Sequence, residues 1–168
     1  SFLADAVAAF RKNVKKLKTD VTELMPWRLN GEKWHLSEKG FSPGQKVKWD
    51  REILAKLIDI AKSVAPKLTI DWNSQATVTI RLPGMSRAWC HLRTKSAEGL
   101  EAAFIGPKAQ FNLDRLSGIG QAAKIQDHHD NIDVIRIRFT KTEQMPRDRL
   151  LSLLKEQAKA FQGMFTKK

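Results

Sequence analysis

The fold is decided by residues 77–94, TVTIRLPGMSRAWCHLRT. Apolar and polar side chains alternate on both sides of Pro83-Gly84, which is the period of a strand with one buried face and one exposed face. Val78 and Ile80 belong to the buried set. Because Pro-Gly marks a turn and the link is short, the two strands are predicted to pair in antiparallel fashion.

Three further extended runs and two amphipathic helices surround this pair of strands. Most of the runs are joined by short links, which favours an antiparallel sheet of about five strands. Since helical patterns precede and follow the strands instead of alternating with them, the predicted class is α+β, with helices packed on one face of the sheet. Residues 25–168 are predicted to form this single domain. The further strands are predicted over residues 68–72, 100–105 and 134–140, and the helices over residues 50–64 and 146–161.

A tryptophan-rich segment lies at the start of this domain. Residues 27–36 contain Asn30-Gly31, a pair that supplies the two positive-φ positions of a tight turn. Pairing around the turn sets Trp27 opposite Trp34 and leaves one apolar face. The segment is therefore predicted to be an N-terminal Trp hairpin.

Residues 1–24 are predicted to form an amphipathic basic helix in front of the domain. The apolar residues of this helix follow one another at alternating intervals of four and three, which gives a narrow seam. The helix is predicted either to lie on its own domain or to bind a partner protein or another part of a parent chain. The seam residues that would make such a contact are Leu3, Val7, Phe10, Val14 and Leu17.

The charge balance points to an anionic partner. The chain of 168 residues carries 30 Lys and Arg against 18 Asp and Glu, a formal net charge of +12, which favours nucleic acid. Cys90 is the only cysteine, so an internal disulfide bond and a cysteine zinc site are excluded, and a reducing cytoplasmic location is predicted. No apolar run approaches the ~20 residues of a bilayer crossing, so no membrane partner is predicted.

Strand alternation also sorts the charged residues by face. If the predicted strands share one sheet, its open face gathers arginines from three of them. Guanidinium groups suit phosphate oxygens and a tryptophan ring can stack on an unpaired base, so this face is a candidate DNA-binding surface. The alternative is an ordinary solvated face, or one that helices or the Trp hairpin cover. The candidate residues are Arg81, Trp89, Arg93, Lys95, Arg136 and Arg138.

Sequence patterns of catalysis are absent. The chain has no Gly-rich Walker loop, no dinucleotide-binding glycine pattern and no Gly-x-Ser-x-Gly elbow. His128-His129 and Asp130 have side chains of the types found in metal-dependent hydrolases. Such a site needs ligands from several elements, and residues 121–133 are predicted to be a polar loop. The prediction is a non-catalytic protein without a cofactor.

Three segments resemble a known family: MPWRLNGEKWHLSEKGF at residues 25–41, KWDR at residues 48–51 and PGMSRAWCHLRTK at residues 83–95. They are similar to the C-terminal extension carried by some of the damage-sensing ATPases of bacterial excinuclease ABC, which act in nucleotide excision repair. The likeness covers most of the chain after Met25. It implies an accessory domain of a DNA-repair protein that binds DNA or docks a DNA-bound complex. The ATP-binding cassettes and cysteine zinc modules of that family have no matching positions here, so no functional residue carries over.

Overall fold

A computed structural model describes residues 2–166, with the side chains of residues 16–24 and 166 outside the described part. Over these residues the chain forms helices and a six-stranded antiparallel sheet, which confirms the predicted α+β class. The sheet order is β1-β2-β3-β4-β6-β5. The elements are α1 (Phe2–Leu24), α2 (Pro26–Leu29), α3 (Gly31–His35), α4 (Glu52–Val64), β1 (Thr69–Asp71), β2 (Thr77–Arg81), β3 (Cys90–Arg93), β4 (Leu100–Pro107), β5 (Ala122–His128), β6 (Ile132–Phe139) and α5 (Arg147–Thr166), with short 3-10 helices at Leu113–Leu116 and Thr142–Gln144.

The two strands of the central hairpin pair as the alternation predicts. Val78 of β2 lies opposite Leu92 of β3, Ile80 lies opposite Cys90, and all four side chains are buried. β1 continues the sheet beyond β2 and β4 continues it beyond β3, each antiparallel to its neighbour. One face of the sheet is therefore apolar along its length.

Two helices cover that apolar face. α4 and α5 pack against each other, and α5 lies against β4. Leu57 of α4 and both Leu154 and Phe161 of α5 join the buried cluster formed by the inward side chains of the strands. Burial of each such side chain stabilises the fold by about 1.5–3 kcal/mol. The core thus lies between the sheet and these two helices, and the opposite side of the sheet is left for other contacts.

The polar segment predicted as a loop, residues 121–133, contains the sixth strand. β5 pairs with β6, and the two are joined by a tight turn in which Asp130 and Asn131 have φ values of 65° and 59°. Two consecutive positive-φ residues match the twist of a hairpin, and Asp and Asn tolerate that conformation. β5 lies at the sheet edge with mostly exposed side chains, so it lacks the strong apolar alternation that marks a half-buried strand.

The predicted Trp hairpin is wrong, because its residues form α2 and α3. Asn30 caps α3, and its side-chain oxygen accepts a hydrogen bond from the backbone N–H of Lys33 at 3.1 Å. Gly31 approaches the backbone of Trp72 so closely that a Cβ atom would stand 2.2 Å from the carbonyl oxygen. The Asn-Gly pair therefore provides a helix cap and a close backbone contact, two roles that its turn preference does not reveal.

The N-terminal helix α1 forms over Phe2–Leu24, in agreement with the apolar seam. The side chain of Leu17, one of the predicted contact residues, lies outside the described part of the chain. The division into this helix and a domain of residues 25–168 stays a prediction. Across residues 2–166, none of the helices has the combination of length and hydropathy that a membrane span needs.

Candidate nucleic-acid interface

The face of the sheet opposite α4 and α5 carries the polar side chains of the strands. On β2, β3 and β4 its positions are half-buried or exposed, and they alternate with the buried core positions. The register sets His91 and Arg136 on either side of Ala103, so the strands bring the cations of separate chain segments onto one surface. We call this surface the basic face and define it by Arg81, His91, Arg93, Lys124, Arg136 and Arg138.

One row of the basic face contains a carboxylate between two arginines. Glu101 of β4 is paired in register with Arg93 on one side and Arg138 on the other. The Nη2 atom of Arg138 lies 3.2 Å from the Oε1 atom of Glu101. Arg93 is exposed and has no ion-pair partner within the described part of the chain. Glu101 thus offsets the charge of Arg138, and Arg93 remains available to bind an anion.

In the next row, β5 and β6 bring two cations directly opposite each other. Lys124 and Arg136 are register partners, an arrangement that lowers the stability of a sheet. The Nε atom of Arg136 donates a hydrogen bond to the Oε1 atom of Gln126 at 2.8 Å, which orients the guanidinium without neutralising it. A bound anion would offset the repulsion between the two cations.

The pKa of His91 is affected by arginines on two different strands of the basic face. Its Nδ1 atom lies 3.3 Å from the hydroxyl of Thr79 on the neighbouring strand. Burial lowers the pKa of His91 below its ordinary value, and the charges of Arg81 and Arg136 lower it further. The imidazole is therefore mostly neutral at pH 7, within a positive potential that extends from β2 to β6.

A depression of about 400 Å³ lies where β4, β6 and β5 meet on this face. Lys124, Arg136 and Arg138 all line it, together with Glu101 and Gln126. Three cations around one depression can contact the same anionic group, with the arginines supplying paired N–H donors. This is the part of the basic face where positive side chains are most concentrated.

The prediction that Trp89 stacks on a base is wrong, because its side chain is fully buried. The backbone N–H of Trp89 bonds to the carbonyl of Ile80 at 2.9 Å, although Ile80 is already the register partner of Cys90. This local shift breaks the alternation, so two consecutive residues are buried. The ring packs against Phe104, with 5.4 Å between centroids, and its Nε1 atom donates a hydrogen bond to the side chain of Gln157 on α5.

Lys95 lies beyond the end of β3 and outside the basic face. Its Nζ atom donates hydrogen bonds to the carbonyls of Trp34 at 2.9 Å and Ser37 at 3.2 Å. The ammonium also lies 4.7 Å from the ring centroid of Trp34 and 5.3 Å from that of Phe41. Burial lowers its pKa to about 8, and the charge of Arg51 contributes. Lys95 therefore holds the segment that follows α3 in place, and the carbonyls of this segment occupy two of its three N–H donors.

Lys124 is a member of the basic face that sequence reasoning missed. It lies on β5, within the segment predicted as a loop. Ala123 and Ile125 are half-buried, whereas Lys124 and Gln126 are exposed, so a short alternation is present in the sequence. That weak signal, followed by the Asp130-Asn131 turn, could have identified both the strand and the lysine.

The residues considered for catalysis lie at the end of the β5–β6 hairpin or inside the core. The rings of His128 and His129 touch at the end of the β5–β6 hairpin, with 3.9 Å between centroids. Within residues 2–166, no group of three His, Cys, Asp or Glu side chains is arranged to hold a metal ion. Cys90 is buried, and burial raises the pKa of its thiol well above the usual range. Its thiol is therefore protonated and inaccessible.

Comparison with known proteins adds no functional assignment. No protein-family model, curated protein or solved structure matches the chain. The functional interpretation therefore depends on the chemistry of the basic face and on the sequence resemblance described above.

Proposed function

We propose that this chain is a non-catalytic module that binds DNA through its basic face, as an accessory domain of a DNA-repair protein similar to the ATPases of excinuclease ABC. The observation that carries the proposal is the collection of cations from four strands on the uncovered side of one sheet. Arg93 and Arg136 are exposed on this face, without an acidic partner in the described part of the chain. The remaining cations are Arg81, Lys124 and Arg138.

The side chains of this face favour contacts with phosphate over contacts with bases. Arginine and lysine bind phosphate oxygens, whereas proteins that bind single strands usually add aromatic rings on which bases stack. Trp89 is buried, and the exposed positions of β1–β6 on this face hold no other tryptophan or phenylalanine. The expected ligand is therefore duplex DNA, held through its backbone with little sequence preference and with a steep dependence on salt.

Four further observations support the proposal. The repulsion between Lys124 and Arg136 lowers the stability of the sheet locally, and a bound phosphate would offset it. The resemblance at residues 25–41 and 83–95 implies a DNA-repair context, and the single cysteine fits a reducing cytoplasm. The charge of the whole chain, +12, would also attract DNA at long range.

The test is a titration of labelled duplex and single-stranded DNA with the full chain at two salt concentrations, comparing the double variant Arg93→Gln with Arg136→Gln against the unchanged chain. Each lost phosphate contact lowers the slope of log affinity against log salt by about 0.9, so the double variant should lower it by about 2. The matched control removes two exposed lysines of α4, Lys56→Gln with Lys62→Gln, on the far side of the sheet. Absence of binding at low salt, or equal losses in both variants, would reject the proposed surface.

A further inference from the structure

The described part of the apolar seam of α1, from Leu3 to Val14, is exposed in the folded chain. Leu3 is 73% exposed and Phe10 69%, while Val7 is 42% and Val14 37% exposed. The contacts of α1 with the rest of the fold are mainly with the short helix α2. A row of large apolar side chains facing water along one helix is unusual in a protein that acts alone, and marks an interaction surface.

The spacing of the seam identifies the kind of contact. Its residues repeat at intervals of three and four along 23 residues, which corresponds to a helix about 35 Å long. A helix of this length gains most of its stability in water from packing its apolar stripe against another surface. A strict seam of two positions per heptad is narrow, and it fits one partner helix better than the broad surface of a folded domain.

The residue types at the two seam positions favour a coiled coil of two helices. Val7, Val14 and Val21 occupy the a positions, and leucine or phenylalanine occupies every d position from Leu3 onward. β-Branched residues at a, combined with leucine at d, favour two parallel strands over trimers and tetramers. Because a parallel pair sets each a position against the a position of its partner, two identical chains match along the whole seam.

The charges beside the seam agree with this orientation. The e positions hold Arg11 and Lys18, and the preceding g positions hold Ala6 and Asn13. In a parallel pair each e position faces a g position of the partner, so neither cation meets a like charge. In an antiparallel pair e positions face e positions, which would set Arg11 against Lys18 at both ends of the contact.

We propose that α1 binds the α1 helix of a second copy of this chain, and that the two helices form a parallel coiled coil. The inference is independent of the basic face. Sedimentation or light scattering of the full chain should give twice the 19.1 kDa mass of one copy, in a concentration-dependent equilibrium. The double variant Val7→Asp with Val14→Asp should give the mass of one copy, because it places charges within the seam.

The matched control is Ala8→Asp with Ala9→Asp, which adds the same charge at exposed positions outside the seam and should leave the mass doubled. Circular dichroism and thermal unfolding of all the variants establish that the sheet remains folded. A mass of one copy for the unchanged chain at all concentrations, or the same mass for both double variants, would overturn the proposal.

A disulfide test establishes the orientation. The variant Val7→Cys should form a cross-linked dimer under mild oxidation, because the two a positions lie side by side in a parallel pair. Ala9→Cys should not cross-link at a comparable rate, and Cys90 does not compete because it is buried. Failure of Val7→Cys to cross-link, together with cross-linking between Val7→Cys and Leu24→Cys chains, would indicate the antiparallel arrangement and overturn the proposal.

Discussion

The basic face and the surroundings of Lys95 both contain arginine and lysine side chains. The two regions differ in how exposed these side chains are and in the groups that they contact. Arg93 and Lys95 are two positions apart and would share one side of a longer strand, but β3 ends at Arg93. Arg93 is exposed without an ion-pair partner in the described residues, whereas Lys95 is half-buried against two rings and two carbonyls. We call the second region the aromatic clasp, defined by Trp34, His35, Phe41, Trp49, Arg51 and Lys95.

Within the aromatic clasp the cations stabilise the fold through contacts with rings and backbone carbonyls. The guanidinium of Arg51 lies 4.3 Å from the ring centroid of Trp49 and 4.6 Å from that of Phe41, and its Nη1 atom donates to the carbonyl of Thr94 at 3.3 Å. Its Nε and Nη2 atoms are buried without a hydrogen-bond partner among the described residues, so the rings provide the attraction that acceptors would otherwise give. The comparison shows that the partners of a cation, rather than its residue type, decide whether it is available to a ligand.

Removal of the central ring of the aromatic clasp should give the largest effect. Trp34 is 8% exposed, and its Nε1 atom donates a hydrogen bond to the carbonyl of Gln75 at 2.7 Å. Trp34→Ala should lower the free energy of unfolding by about 3–5 kcal/mol, measured by denaturant titration. Trp27→Ala, at the half-buried ring that packs against Trp34, should cost clearly less. Equal losses would contradict the central position of Trp34.

Matched glutamine substitutions at Arg93 and Lys95 should separate the two regions. Lys95→Gln should lower the free energy of unfolding by about 1–3 kcal/mol, because two carbonyls lose their cationic donor, while the affinity for DNA stays unchanged. Arg93→Gln should change the stability by less than about 0.5 kcal/mol and weaken DNA binding at low salt. Denaturant titrations measure the stability of both variants, and DNA titrations measure their affinity. If only Lys95→Gln lost affinity for DNA, then Lys95 and not Arg93 would be the DNA-binding residue.

The pH dependence of stability should report the aromatic clasp. The pKa of Lys95 is about 8 in the folded chain, against an ordinary value of 10.5. Between these values the unfolded chain holds a proton that the folded chain has released, so stability should rise as the pH increases from about 8 to about 10.5. Thermal unfolding across this range should show the rise, and Lys95→Met should remove it. If the stability of Lys95→Met rises by the same amount, the titration of Lys95 is not the cause of the rise.

The smallest effect is expected at Lys124, and its two consequences should have opposite signs. Lys124→Gln removes the repulsion from Arg136, so the free energy of unfolding should increase by a few tenths of a kcal/mol. The same change removes a cation from the depression on the basic face, so the affinity for DNA should fall. Lys56→Gln on α4 is the control and should change neither quantity appreciably. A Lys124→Gln variant that is less stable than the unchanged chain would contradict the repulsion.

Most of the sheet could be predicted because each of its central strands has one buried face. Alternation set Arg81, Arg93, Arg136 and Arg138 on the side opposite the core, and the structure places them there. The edge strand β5 could not be predicted in this way, since it buries too few side chains to leave a clear period.

The predictions for Trp89 and Lys95 were wrong because both side chains make contacts with residues that are distant in the sequence. Trp89 follows a local shift in the ladder and points into the core, where Gln157 of α5 accepts its hydrogen bond. Lys95 lies past the strand end, under a segment that is about 60 residues earlier in the chain, as its bond to Trp34 shows. No local pattern encodes either contact, because both depend on how α3 and α5 pack on the sheet.

The central claim is that the basic face binds the phosphate backbone of DNA while the aromatic clasp does not. The most direct test is an NMR titration of the full ¹⁵N-labelled chain with a short DNA duplex at low salt. We expect the amide shift changes to concentrate in β2, β3, β5 and β6, with little change in α4 or around Lys95. Changes concentrated on the exposed sides of α4 and α5, or no changes at low salt, would contradict it.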